Sequence, residues 1–549
     1  MSVALNFNGL SCEADVGNSL FTCAESLGIP VPTSCNKQGK CKECVVEVAE
    51  GMECLSQRSP PEAHLKGAFR LSCCARIAAE AGAIRCHTMR RGTMRIESHA
   101  FELPVHGKAW KIDPAVRREG ERILLDGVEI DRGTGPLHGL AIDLGTTTIV
   151  VRLLNLETGV VVADSSFENP QRFGGSDIMA RIQYDTEDRT KTLQRTLAGY
   201  LSRAIQEFPV DPRSIYEVVI AGNSTMRDMF FKLSVYSIGQ SPYQSITELE
   251  VASGARTTTS LSEQARRLSL PIHPKARVYG LPIISGHVGA DAAACMLAID
   301  LANEERVVAV MDIGTNTELI VGNKHRVLAA SCPAGPAFEG GEIRFGMPGL
   351  PGAIEKLAID AEGTVTTTVI GDGPAEGLCG SGLVDLLSEL LRTGRMNALG
   401  RFEGGAGDFT VAAGDPPVTF SEADVNALAQ AKGANVAGLQ IAFKEYGIRY
   451  QDLEVFYLAG GFGRHLNIES SKRIGLIPNI PAERIVQVGN ASVEGACIAL
   501  LSCAKRAELE ALVKRVTHCR LETHEGFFDY FVEGCQFAPV ENALEATNP

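Results

Sequence analysis

Two stretches of the chain repeat one pattern. From Gly139 the sequence reads GLAIDLGTTTIVVRLLNLETG, and from Val307 it reads VVAVMDIGTNTELIVGNKHR. Each is an apolar run ending in aspartate, then Gly-Thr-Thr-Thr or Gly-Thr-Asn-Thr, then a second apolar run. Asp143 and Asp312 lie 169 residues apart. A repeat at that period demands a duplicated fold in which each copy supplies one hairpin. The residue types point to phosphate. A glycine turn exposes backbone N–H groups, threonine hydroxyls add donors, and a carboxylate at the strand end holds Mg²⁺ through water. Gly145, Thr146, Thr147 and Thr148 form the first phosphate segment, and Gly314, Thr315, Asn316 and Thr317 the second. One such segment is a weak signal; two facing copies make a clamp for a triphosphate.

A third stretch extends the pattern. EVFYLAGGFGRHLN, residues 454–467, runs from a buried-looking strand into Gly460, Gly461, Phe462 and Gly463, a turn that lets a flat base and ribose approach the backbone. Its structural alternative is a tight strand-to-helix turn. Asp291 and Glu339, in SGHVGADAAA and CPAGPAFEGG, are candidates to orient an attacking water or the metal, with helix capping as the alternative. The run DVNALAQAKGANVAGLQIAFKEYG is a mainly core-facing helix, with Lys432 a candidate neighbour of the nucleotide. Cys332 and Cys379 lack cysteine neighbours and read as packed residues.

The amino-terminal part makes a different demand. Of sixteen cysteines, nine lie at or before Cys86. Crowding of this kind in a chain read as cytoplasmic points to metal rather than disulfides. VALNFNG reads as the start of a hairpin, NSLFTCAESLG as a helix and CVVEVAEG as a strand. Between helix and strand lies SCNKQGKCKEC, which carries Cys35, Cys41 and Cys44; RLSCC follows downstream. Three ligands on one loop and a distant fourth, Cys73 or its rival Cys74, differ from the paired knuckles of structural zinc sites. They fit a [2Fe–2S] cluster on four thiolates, near roughly −400 mV in plant-type ferredoxins. Zinc and plain reactive thiols are the weaker readings. Gly39 is expected to let the loop backbone pass close to the inorganic sulfides. Cys12, Cys23, Cys54 and Cys86 read as small buried residues.

Charge and hydropathy set the outer bounds. A formal net charge of −14 argues against nucleic acid as a partner. Up to Arg95, 11 Lys and Arg face 9 Asp and Glu, so the cysteine module is weakly basic and the body carries the acidity. No segment shows some 18 uninterrupted apolar residues, and the first residues lack a basic-then-apolar leader, so neither a membrane span nor export is expected. Residues 96–136 are polar and charged and read as a partly ordered linker. The resulting division is 1–95, linker 96–136, first lobe 137–305 and second lobe 306–549.

In this order, hairpin repeat and glycine turn resemble the sugar kinase, actin and heat-shock chaperone superfamily, whose members close two α/β lobes on ATP. The resemblance implies an α/β multidomain chain: a β-grasp, ferredoxin-like domain, then a duplicated actin-like (ribonuclease H-like) ATPase. The cysteine module together with GNSTM, SGHVGADAAA, GPAFEGG, GLCGSGLVD and LAGGFGRHLN looks like the reductive activators of corrinoid-dependent methyltransferases, which use ATP to return cob(II)amide to cob(I)amide. It implies a [2Fe–2S] cluster, ATP and Mg²⁺ as cofactors, and a corrinoid protein and an upstream low-potential electron donor as partners; a homodimer is compatible with it. If the potential gap is about 100 mV, the transfer is uphill by roughly 2.3 kcal/mol per electron, which ATP covers. Two departures stand out. Family members are expected to carry a further middle domain before the first hairpin, and GMPGLPGAI (346–354) differs from the family pattern, so no role is assigned to it. The alternatives are an activator of another low-potential metalloenzyme, a redox sensor that binds ATP without turnover, and a small-molecule kinase.

Overall fold

The computed structural model describes residues 2–33, 35–89, 110–405, 407–461 and 463–541. In the cysteine module, strands Ser2–Phe7 and Leu10–Asp15 form a hairpin closed by Asn8 and Gly9, both at positive φ, the Asn-Gly turn that matches strand twist. Alternation buries Val3, Leu5 and Phe7. Helix Leu20–Ser26 starts at Ser19, whose hydroxyl accepts the Thr22 N–H, and its Leu20, Cys23 and Ala24 share the module's core. The sheet order is Leu10–Asp15, Ser2–Phe7, Ala83–Thr88, Val45–Glu50, Phe69–Leu71, with the first and last strands of the chain segment paired in parallel as in a β-grasp.

Each hairpin of the repeat seeds a six-stranded sheet. In the first lobe the order is Val161–Glu168, Thr148–Asn155, His138–Leu144, Ile215–Gly222, Arg277–Gly280, Leu261–Gln264. In the second it is Ile485–Gly489, Val455–Ala459, Val308–Asp312, Thr317–Gly322, Val327–Cys332, Val516–His518. In both, three antiparallel strands carry the hairpin and a fourth lies parallel to the aspartate strand. Each aspartate therefore lies near the carboxyl end of the third strand of its own sheet.

The lobes meet through two helices, Ala290–Ala298 and Ala491–Leu501, both fully buried apart from Asp291. Small residues let them cross closely: a Cβ at Gly495 would stand 2.0 Å from the Ala294 carbonyl oxygen. Arg152 of the first sheet pairs with Glu494 of the crossing helix, both nearly buried. The stretch read as a partly ordered linker holds a small sheet within its described residues, 110–136. Val116–Glu119, Arg122–Leu125 and Val128–Arg132 form a three-stranded antiparallel sheet. Val116, Ile123 and Ile130 join the interlobe core, and Trp110 packs against it. The polar composition hid this because one apolar residue per strand is enough to anchor a sheet that faces solvent on its other side. The expected boundary at residue 95 lies outside the described residues. Among the described residues no helix is long and apolar enough to cross a membrane.

Candidate functional site

Between the lobes lies a cleft. Asp143, Gly145, Thr146, Thr147 and Thr148 line it from one side, and Asp312, Gly314, Thr315 and Asn316 from the other. The hairpins touch: the hydroxyls of Thr147 and Thr315 are 2.9 Å apart, and both donate to Glu339 Oε2. Asn223 Nδ2 donates to Thr146 Oγ1 (3.0 Å). Asp143 accepts from Asn490 Nδ2 and Ser492 Oγ, each at 2.9 Å, which come from the start of the crossing helix. Gly460 and Gly461 also line the cleft. At Gly460, φ is +110° and a Cβ would lie 2.3 Å from the Ile313 carbonyl oxygen, so the turn needs glycine to pass over the second hairpin.

Electrostatics make the cleft hungry for cations. Asp143, Asp291, Asp312, Glu318 and Glu339 line it, and among the described residues lining it none is Lys or Arg. Burial, then the charges of Asp143 and Asp312, push Asp291 up to about 7. Burial, with Asp143 and Glu339, raises Asp312 to about 7. Glu318 and Glu339 are raised chiefly by burial, and so is Asp143. A bare polyphosphate would be repelled here; a divalent cation relieves both the desolvation and the mutual repulsion.

Three expected contacts fail. Lys432 is fully buried away from the cleft, its ammonium donating to the carbonyls of Gly534 and Gln536. Strand alternation turns Thr317 into the interior, where its hydroxyl has no hydrogen-bond partner among the described residues, and brings the next residue, Glu318, to the cleft. Gly463 opens the short helix Gly463–His465 and accepts from Gln487 Nε2 (2.7 Å) without reaching the cleft. Phe462 lies outside the described residues. The structure adds Glu318, Asn490, Ser492 and Asn223, and an apolar end made by Phe338, Met347, Pro348 and Ile370. Met347, Pro348 and Gly349 belong to the GMPGLPGAI segment that received no role. Cys379, read as a packed residue, also lines the cleft.

The cysteine loop offers a second site. Cys41, Cys44 and Cys73 are buried and Cys35 is partly exposed. Cys44 Sγ and Cys73 Sγ are 3.3 Å apart. Ser72 holds the downstream strand to the loop, its N–H (2.8 Å) and hydroxyl (3.0 Å) both donating to the Cys44 carbonyl. Glu62, paired with Arg70 at 2.7 Å in a buried bridge, accepts the Leu71 N–H. At Cys35 burial pushes the thiol up, but hydrogen bonds from the backbone and thiol of Cys41 and from the Gln38 and Lys40 backbone outweigh it and bring it to about 7. The thiols thus fall into two pairs, Cys35 with Cys41 and Cys44 with Cys73. Two pairs suit a binuclear iron cluster held by four thiolates. Cys74 Sγ lies 3.8 Å from Cys73 Sγ. Gly39 faces Cys74 Sγ, 2.9 Å from its ideal Cβ, and Pro61; its φ of +69° requires glycine there.

Three family descriptions match successive parts of the chain. Residues 3–78 match the 2Fe-2S iron-sulfur cluster binding domain, 138–304 the RACo middle region, and 306–547 the C-terminal domain of RACo, the ASKHA domain. The corrinoid activation enzyme RamQ of Eubacterium limosum is 28% identical over 578 residues, covering 94% of this chain and 95% of that protein. The Co(II) methylated amine-specific corrinoid protein reductase of Methanosarcina barkeri is 24% identical over 432 residues, covering 72% and 76%. The solved reductive activator for a corrinoid, iron-sulfur protein superposes with a TM-score of 0.71 at 26% identity, over 98% of each chain. The middle region is therefore the first lobe itself, and the further middle domain expected ahead of the first hairpin is not missing relative to that structure.

Proposed function

We infer that this chain, which belongs to the family of reductive activators of corrinoid proteins, passes single electrons to the Co(II) of a corrinoid protein and couples that transfer to ATP in its interlobe cleft. The observation that carries the reading is the joining of paired thiols and a carboxylate-lined clamp in one chain. Cys35, Cys41, Cys44 and Cys73 hold the cluster, which when bound takes up and releases one electron at a time.

In the cleft, Gly145 to Thr148 and Gly314 to Asn316 present N–H groups and hydroxyls to the phosphates. Asp143, Asp312 and Asp291 would hold Mg²⁺, and their raised proton affinity means that its binding would release protons. Gly460 and Gly461 let the nucleoside approach the backbone, and Phe338, Met347 and Ile370 supply an apolar wall. Glu339, held by Thr147 and Thr315 from opposite lobes, orients the water that attacks the terminal phosphate. Closure of the lobes on nucleotide favours one state of the complex with the client over another, and the difference in affinity sets how much the cobalt potential shifts. One electron leaves the reduced chain and Co(II) becomes Co(I); an upstream low-potential donor resupplies it.

The test is an oxygen-free mixture of pre-reduced protein, a candidate corrinoid protein and Mg–ATP, followed by the Co(I) absorption band. The band is expected with ATP and absent without it. Its equal appearance without ATP and with Asp143→Ala plus Asp312→Ala would sink the reading.

A further inference from the structure

The cysteine module rests on the body. Its loop lies on the first-lobe helix Thr192–Glu207, where Arg195 donates to the Cys41 carbonyl (3.1 Å). The stem of Glu43 lies 3.4 Å from the ideal Cβ of Gly199, so the helix offers a flat place for it. Phe21, Val45 and Leu65 of the module share one buried core with Phe173, Leu193 and Leu197 of the lobe.

A single turn joins this seat to the first phosphate hairpin. Asn169 donates its N–H to the Thr147 carbonyl (2.7 Å) and its side-chain amide to the Gly145 carbonyl (2.8 Å). Its Oδ1 accepts the Gln171 N–H (2.9 Å) and so starts the short helix Pro170–Gly174. Within that helix Arg172 pairs with Glu168 and reaches Glu47 of the module at 3.6 Å. The next residue, Phe173, meets the module's His64 ring edge-on, with centroids 6.4 Å apart. Asn169, Gln171 and Phe173 are buried, so the turn has little freedom to absorb a displacement at one end.

We propose that residues 169–174 couple nucleotide in the cleft to the seat of the cluster module, with Asn169 and Arg172 as positioning residues. The proposal rests on the reading that the cleft takes nucleotide. Phosphate bound to the N–H groups of the hairpin fixes peptides whose carbonyls hold Asn169. Fixing Asn169 fixes Arg172 and Phe173, and the seat tightens. Coupling of this kind is reciprocal: whatever loosens the seat weakens nucleotide binding by the same factor. While the module is seated, Cys41, Cys44 and Cys73 are buried and Cys35 is partly exposed.

The experiment uses the full-length, cluster-loaded protein without oxygen. Amide hydrogen exchange is read for segments 41–47, 65–73 and 193–200, with and without a non-hydrolysable ATP analogue and Mg²⁺, and analogue affinity is measured by calorimetry. Nucleotide is expected to slow exchange at the seat by about five-fold or more. In Arg172→Gln, and in Glu47→Gln on the module side, the slowing shrinks and affinity falls by the matching factor; Arg172→Lys restores both. Wild-type protein that binds the analogue with unchanged exchange at the seat overturns the coupling and leaves the cleft reading intact. So do variants whose seat loosens equally with and without nucleotide at unaltered affinity, the behaviour of a merely structural contact. Wild-type protein that binds no nucleotide overturns the cleft reading, and the coupling with it.

Discussion

Gly495→Ala is expected to damage both stability and the cleft. The new Cβ would stand 2.0 Å from the Ala294 carbonyl oxygen, 2.5 Å from its carbon and 2.7 Å from its Cα. All three atoms are backbone of the opposing helix and have no rotamer to yield, so the helices must part by about 1 Å or more to reach an ordinary contact. Alanine favours a helix over glycine by about 1 kcal/mol. Overpacking a buried crossing costs about 1–3 kcal/mol and here sits at the top of that range. The net loss of about 1–2 kcal/mol corresponds to a melting midpoint lower by roughly 2–8 °C for a unit of this size. The displaced helix carries Asn490 and Ser492, whose 2.9 Å bonds to Asp143 are charge-assisted. Losing one such bond lowers nucleotide affinity about ten-fold or more. Differential scanning fluorimetry and calorimetric titration with an ATP analogue read the two effects. Gly407→Ala, where a Cβ meets nothing within 4 Å, serves as control. An unchanged midpoint and affinity in Gly495→Ala would refute the close crossing as a determinant of interlobe packing.

Three further outcomes are expected. Cys73→Ser loses iron and acid-labile sulfide while Cys74→Ser keeps both, read by metal analysis and visible absorption, because Cys73 pairs with Cys44 at 3.3 Å. Asp291 and Asp312 sit near 7 in the folded chain against 3.8 ordinarily, so the fold holds protons that the unfolded chain has released. Cation-free protein should lose stability as pH rises from about 4 to about 7, and the rise in melting midpoint given by Mg²⁺ should be larger at about pH 8 than at about pH 5.5; thermal melts at both values decide it. Lys432→Met leaves the carbonyls of Gly534 and Gln536 unsatisfied, at about 1–3 kcal/mol each. It should lower the melting midpoint while leaving ATP-analogue affinity unaltered, the reverse of what a nucleotide contact would do.

What the sequence disclosed was whatever local chemistry dictates. Asp143 and Asp312 end strands that run into glycine turns, a local pattern visible in the sequence, and the structure brings both turns to one cleft. Gly460, in a third glycine turn, lines the same cleft. Contacts made by distant parts of the chain were not visible in the sequence. Asn490 and Ser492 reach Asp143 across some 347 and 349 residues, and nothing in Gly-Asn-Ala-Ser announces more than a helix start. Thr317 and Glu318 exchange roles because register, set by the pairing of Asp312 with Glu318, decides which face a strand residue shows. Lys432 misled because a lysine in an apolar helix suggests a polar ligand, whereas two carbonyls from a segment about 100 residues later satisfy it. At the cysteine loop, spacing singled out Cys35, Cys41 and Cys44 and left Cys73 and Cys74 as rivals for a fourth place; the fold sets Cys73 beside Cys44 and seats the loop on the first lobe.

The most direct measurement counts cobalt against nucleotide. With pre-reduced protein and corrinoid protein in excess and ATP limiting, Co(I) should accumulate in proportion to the ATP consumed and stop when ATP is spent. Complete conversion of Co(II) to Co(I) with no ATP present, or ATP consumption unaltered by the corrinoid protein, would contradict the coupling of electron delivery to the cleft.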